Sequence, residues 1–203
     1  MEHDAFNDFS DQAPSGRRAH FVFQNLPPSA HLIYQLLSWE NHSILLDLFA
    51  EDTHAFVDAR FKTAETLREY VAYQMDYAAY SAKRGGCDWF FLYQGQYAGI
   101  IHLYDLSVET TDNRHRRCTI GFATSAPFRR QRLTSEAVRH LLAHVFTHFH
   151  MQEVMAYRHR ENIASGLFLE KLGFENRDEV HKPDDLYHYY TLQREAFAPP
   201  RPT

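Results

Sequence analysis

Residues 120–174 read as strand, loop, helix, strand and helix in turn, and no other stretch of this chain restricts its fold as tightly. A strand ends at Ala126-Pro127, an arginine-rich loop follows at 129–132, and Leu-Thr-Ser-Glu opens a helix. Along that helix, expected over 133–148, Leu141, Leu142, Val145, Phe146 and Phe149 share one side. His140, His144 and His148 stand opposite, so they are expected to face solvent, not to form a metal site. A second strand (153–158) and a second helix (162–172) complete the run.

The flanking sequence adds strands before and after. Residues 31–37 suit a strand, and Ser38 is placed to cap a helix over 39–50. A further helix is expected over 64–82, closed by Gly85-Gly86. Segments 89–94 and 96–105 meet at Gly95 as a hairpin. A polar loop, 107–116, leads to a strand at 117–124, and 174–180 and 186–194 finish as strands. An antiparallel meander followed by strand–helix alternation implies an α+β fold, a mixed sheet with helices on both faces. Polar tails are expected at 1–18 and 198–203, around one domain at 19–197.

Composition narrows the class further. A net charge of −5 gives no reason to expect a nucleic-acid partner. Two separated cysteines, Cys87 and Cys118, form no disulfide framework, which suits a reducing cytoplasm. No membrane-length apolar run and no signal-peptide core are visible.

The loop and helix at 129–135 combine free helix-terminal N–H groups with Arg129, Arg130 and Arg132, an arrangement that binds phosphate. The same residues read equally well as a solvated basic loop. Arg114, Arg116 and Arg117 form another short charge run, of the kind that is usually a solvated face but that would attract phosphates if it stood near a cofactor mouth.

The run IGFATSAPFRRQRLTSEAVRHLLAHVF resembles the cofactor segment of the GNAT superfamily, in the branch with the ribosomal-protein N-terminal acetyltransferases. RENIASGLFLEKLGFE is similar to that branch's second signature, matching at Asn162, Ser165, Glu170, Lys171, Leu172, Gly173 and Phe174. LIYQLLSWENHSILLDLFAED and GQYAGIIHLYD resemble earlier elements of the family, in the same order.

The resemblance implies acetyl-CoA as co-substrate, lying where the fourth and fifth strands splay apart. Its pantetheine arm would meet the backbone of Phe122, Ala123 and Thr124. Its pyrophosphate would sit on the loop and helix start formed by Arg129, Arg130, Gln131, Arg132, Leu133, Thr134 and Ser135. Asn162, Phe168 and Lys171 would add to the cofactor wall, with Ser165 near the thiol. The reaction implied is direct attack of an amine on the thioester, with a backbone N–H near Phe122 steadying the oxyanion. The acceptor is an amine of unspecified identity, and a homodimer is a further expectation. The same residues also fit a protein that binds CoA or a partner without turnover.

Three positions depart from the family pattern. Arg130 and Arg132 stand where relatives carry glycine, and Thr134 where they carry Ala or Gly. Thr119 occupies the position of a glutamate base, which leaves His159 as the nearest titratable substitute, with Glu153 or a water chain as alternatives. Leu169 stands where other members have a tyrosine acid, which leaves Ser165 or solvent to relay the proton to the leaving thiolate. Tyr70, Tyr73, Tyr77 and Tyr80 form a stripe on the second helix, read mainly as a packing face.

Overall fold

The computed structural model describes residues 24–52, 55–80, 85–107, 116–179 and 186–198. The expected tails, apart from Ala198, lie outside these residues, as do most of loop 107–116 and the ends of segments 64–82 and 174–180.

Seven strands form one sheet: β1 (Leu32–Leu36), β2 (Gly85–Tyr93), β3 (Gln96–Ser107), β4 (Arg117–Thr124), β5 (Glu153–His159), β6 (Glu175–Asn176) and β7 (Tyr187–Gln193). Their order is β1-β2-β3-β4-β5-β7-β6. Among the described residues, only the β4–β5 pairing is parallel. The helix α3 (Leu133–Thr147) makes that crossover, between α1 (Ile44–Phe49) and α2 (Ala64–Tyr80) before it and α4 (Ile163–Lys171) after it.

Both faces of the sheet are covered, so β2 buries consecutive large residues instead of alternating: Trp89, Phe90 and Phe91 are all buried. Trp89, Ile101, Ile120 and Val154 pack with Leu141 and Val145 of α3 and Leu169 of α4. On the opposite face Phe90 and Ile100 meet Leu45 and Phe49 of α1 and Leu67 and Val71 of α2. The β2–β3 turn places Gln94 and Gly95 at φ 50° and 78°, the twist that two-residue hairpins favour. No described helix is long and apolar enough to cross a membrane.

Several boundaries differ from the sequence expectation, each for a local reason. The first helix starts at Ile44, not 39, because Asn41 takes over the backbone there. Its Oδ1 accepts from the Ser38 amide at 2.8 Å, and its Nδ2 donates to the Leu36 carbonyl at 2.9 Å. Gly85 opens β2 opposite Leu106 instead of closing α2. Strand β6 stops at Asn176, where Asp178 turns inward to accept from the Tyr189 amide at 2.8 Å and to bind His188. The tyrosine stripe divides: Tyr70 is 4% exposed and Tyr73 60%, while the side chains of Tyr77 and Tyr80 lie outside the described residues.

The histidines of α3 do not all face solvent either. His140 stacks on Tyr34 at 4.9 Å, and burial lowers its pKa. Burial first, then His148 and His140, push His144 down to about 4. Among the described residues, no group of three His, Cys, Asp or Glu side chains stands where it could hold a metal ion.

Candidate active site

The β4–β5 ladder runs only from Arg117 opposite Glu153 to Ile120 opposite Ala156. Beyond it Gly121 to Thr124 stay paired with β3 alone, and Tyr157 to His159 with β7 alone. The strands therefore part in mid-sheet, at the expected place. The Ser125 amide donates to the Ala98 carbonyl at 3.0 Å, while the Thr124 carbonyl accepts from Arg129 Nε at 3.0 Å. Backbone groups alternate along a strand, so Phe122 and Thr124 turn their amides toward the opening.

The loop below this opening is built for close backbone approach. Arg130 and Arg132 sit at φ 62° and 65°, the left-handed region that costs an L-residue about 1–2 kcal/mol and that glycine enters freely. The two arginines thus hold a backbone path that glycine would adopt without strain. Their side chains are exposed and point away from the packed core. Arg132 is the N-cap of α3 and offers no side-chain cap, so the first-turn N–H groups at Leu133, Thr134 and Ser135 receive nothing from it. Thr134 Oγ1 lies 2.6 Å from Thr124 Oγ1, tying the helix start to the open edge of β4.

Other loop residues have structural duties. Arg129 does not extend toward an external anion. Its guanidinium binds the Asp52 carboxylate, and that side chain is only 3% exposed. Gln131 Nε2 donates to the Pro127 carbonyl at 2.9 Å, and Leu133 is buried in the core. Glu136, in the first turn of α3, accepts from Ser29 Oγ at 2.6 Å and from the His31 amide at 2.7 Å. Burial works against it, but those hydrogen bonds hold its carboxyl below the usual range.

Across the opening, Phe168 of α4 meets Phe122 edge-on with ring centroids 4.9 Å apart. Asn162 precedes α4 as its N-cap, its Oδ1 accepting from the Ser165 amide at 3.2 Å. Lys171 is exposed in the last turn of α4, and its carbonyl accepts from Arg139 at 3.4 Å. Phe122, Thr124, Thr134 and Phe168 are therefore gathered at the opening, whereas Lys171 stands at the far end of its helix.

The three residues read as catalytic from the sequence are not joined by hydrogen bonds. Thr119 is fully buried, and its Oγ1 has no partner among the described residues. His159 packs between Phe56 and Tyr187, with centroids 5.3 and 5.8 Å away. Its Nδ1 accepts from the Glu161 amide at 3.3 Å. A neutral ring in that arrangement carries its proton on Nε2 and has no lone pair to spare.

A fourth group was missed. Asp88 of β2, with its side chain fully buried, faces His102 of β3. His102 Nδ1 lies 2.9 Å from Asp88 Oδ1, and the Tyr70 hydroxyl donates to Asp88 Oδ2 while lying 3.2 Å from the same nitrogen. Part of the signal was available, since Asp88 interrupts an apolar strand; the hairpin turn at Gly95 alone would set it opposite Ile101, and a bulge between Phe91 and Leu92 moves it opposite His102.

A family model described as an acetyltransferase (GNAT) domain matches residues 36–175. No curated protein sequence matches the chain. Among solved structures, FdhC in its apo form, a nucleotide-linked sugar GNAT, superposes with TM-score 0.68 at 12% identity, covering 86% of this chain and 93% of that one. RimL, a ribosomal L7/L12 alpha-N-protein acetyltransferase in complex with coenzyme A, gives TM-score 0.65 at 14% identity, with 85% and 99% covered. The ribosomal-protein-S5-alanine acetyltransferase of Vibrio fischeri gives 0.62 at 12%, with 87% and 100% covered. These likenesses concern the fold, and the family rests on the matched model together with the parted strands and the loop at 129–135. The chain belongs to the GNAT acetyltransferase family.

Proposed function

We propose that this protein transfers the acetyl group of acetyl-CoA to an amine. The observation that carries the reading is the path of Arg130 and Arg132, whose left-handed backbones lead into an α3 terminus with no side-chain cap, directly below the β4 opening. A diphosphate suits that corner, since free N–H groups, the helix dipole and two exposed guanidinium groups all favour it. The outward amides of Phe122 and Thr124 suit an extended amide-bearing arm. Acetyl-CoA supplies the activated acyl group, and the chain's own residues hold and orient it. Nothing in these features selects the acceptor, which the solved relatives vary from protein N-termini to sugars and polyamines.

The test is thiol release from acetyl-CoA across a panel of amines, with CoA binding measured by calorimetry. Acetyl-CoA consumption that depends on one class of amine supports the reading. Binding of CoA without turnover on any acceptor favours a CoA-binding protein that has lost catalysis, a reading motivated by the buried, unpartnered Thr119. Absence of CoA binding overturns both.

A further inference from the structure

We propose that His102 is the general base of the reaction, with Asp88 and Tyr70 as the residues that position it. This rests on the acetyl-transfer reading above.

The geometry fixes the proton inventory of the ring. A carboxylate only accepts, so the Asp88 oxygen 2.9 Å from Nδ1 requires the proton on that nitrogen. The lone pair then lies on Nε2. No hydrogen bond engages Nε2 among the described residues, and the side chain keeps 15% exposure. Asp88 is itself oriented by Tyr70, a third group behind the base, as nucleophile and base sites commonly require.

The Cδ2 side of the ring lies against the β4 residue at which the opening starts. A Cβ built on Gly121 would lie 3.2 Å from His102 Cδ2, the carbon bonded to Nε2. Gly121 is the first residue of β4 after the parallel ladder ends. His102 thus covers the start of the opening, one residue from the Phe122 amide. A side chain there would press on the ring, which would have to give by a few tenths of an ångström.

Among the described residues, the following groups surround the ring. Asp88 faces it from β2 and Tyr70 from α2. Phe61 stacks at 6.0 Å, from a short 3-10 turn (Ala59–Phe61) whose N-cap, Asp58, feels the histidine's charge. Arg60 of the same turn lies 4.7 Å over the Tyr70 ring and pairs with Asp58 at 2.6 Å. β4 contributes Gly121.

The step balances without a further reagent. His102 Nε2 removes one proton from the acceptor ammonium, and the amine lone pair forms the C–N bond to the thioester carbon. The C–S bond breaks, the second amine proton ends on the CoA sulfur, and His102 returns its proton to solvent. This places the base on the β2–β3 hairpin and accounts for a threonine at position 119, which is buried between its strand partners Tyr104 and Met155 and unable to serve.

The experiment compares wild type with His102→Gln and Tyr70→Phe, using the best amine of the panel. For His102→Gln we expect kcat to fall roughly 10²–10⁴-fold, the range for a lost general base. The CoA dissociation constant should stay within about twofold, as the ring does not belong to the diphosphate corner. The acidic limb of log kcat/KM against pH should vanish in His102→Gln and move in Tyr70→Phe. A kcat within about threefold of wild type, or an unchanged limb in both variants, overturns the proposal while leaving acetyl transfer intact. A wild type that releases no thiol with any amine overturns the acetyl-transfer reading and this base together. Should His102→Gln fail to fold, Tyr70→Phe still decides by its limb. Nitrogen NMR of the wild-type ring must also show the proton on Nδ1; a neutral ring protonated on Nε2 contradicts the assignment.

Discussion

Arg129 binds Asp52 across the molecule, its guanidinium joining the loop after β4 to the chain just beyond α1 while its Nε holds the Thr124 carbonyl at 3.0 Å. The carboxylate is 3% exposed, so it needs that cation. Removing one member of a buried pair costs about 3–5 kcal/mol, and partial exposure of Arg129 moves the expectation to the lower end. Arg129→Ala should therefore destabilise the fold by about 3 kcal/mol in urea unfolding. CoA binding should weaken with it, because the loop below β4 loses its anchor.

Arg132→Gly separates backbone strain from charge. Glycine relieves a left-handed conformation worth about 1–2 kcal/mol but loosens the unfolded chain by about 0.4–1 kcal/mol. The net expected is a stabilisation of about 0.5 kcal/mol. The exposed side chain does not fill the loop, so its removal should weaken CoA binding several-fold, with a shallower salt dependence. Calorimetry at two ionic strengths checks both; tighter binding in the variant would show that the arginine obstructs.

Gly99 faces a harder limit. A Cβ there would meet the Ala123 carbonyl at 2.3 Å and the Phe91 ring at 2.4 Å. The carbonyl cannot move without shifting the end of β4. Gly99→Ala should cost at least the 1–3 kcal/mol of core overpacking. It should also impair CoA binding more than its loss of stability accounts for, as read by calorimetry below the melting transition.

Acid should destabilise the protein through α3. The folded pKa of His144, about 4, lies below its unfolded value, so its contribution is present above about pH 6.5 and is lost as pH falls toward 4. Glu136, held low, contributes in the same sense at still lower pH. Denaturant midpoints of wild type should drop between pH 7.5 and pH 4.5, and those of His144→Gln should drop less.

Much of the fold was legible because its signals are local. The periodicity of α3 and the Asn162–Phe174 signature predicted elements within a residue or two of those observed. The first helix was not, because Asn41 competes with the backbone through contacts that a helix pattern does not encode. In the candidate site, the loop at 129–132 and the start of α3 after it could be located from the loop sequence. The role of Arg129 could not, since Asp52 stands 77 residues away. His102 was overlooked for a different reason. Its meaning depends on the bulge between Phe91 and Leu92, which sets it opposite Asp88, and on Gly121, whose lack of a side chain eases the contact with the ring.

The early end of the β4–β5 ladder has one further consequence. Amides in the middle of a seven-stranded sheet ordinarily exchange with solvent deuterium only on global unfolding. Those of Phe122 and Thr124 face an open seam and should exchange on the timescale of a surface loop, slowing when a ligand with matching carbonyls lies along them. Their exchange rate reads occupancy of the seam directly, before any acceptor amine has been identified.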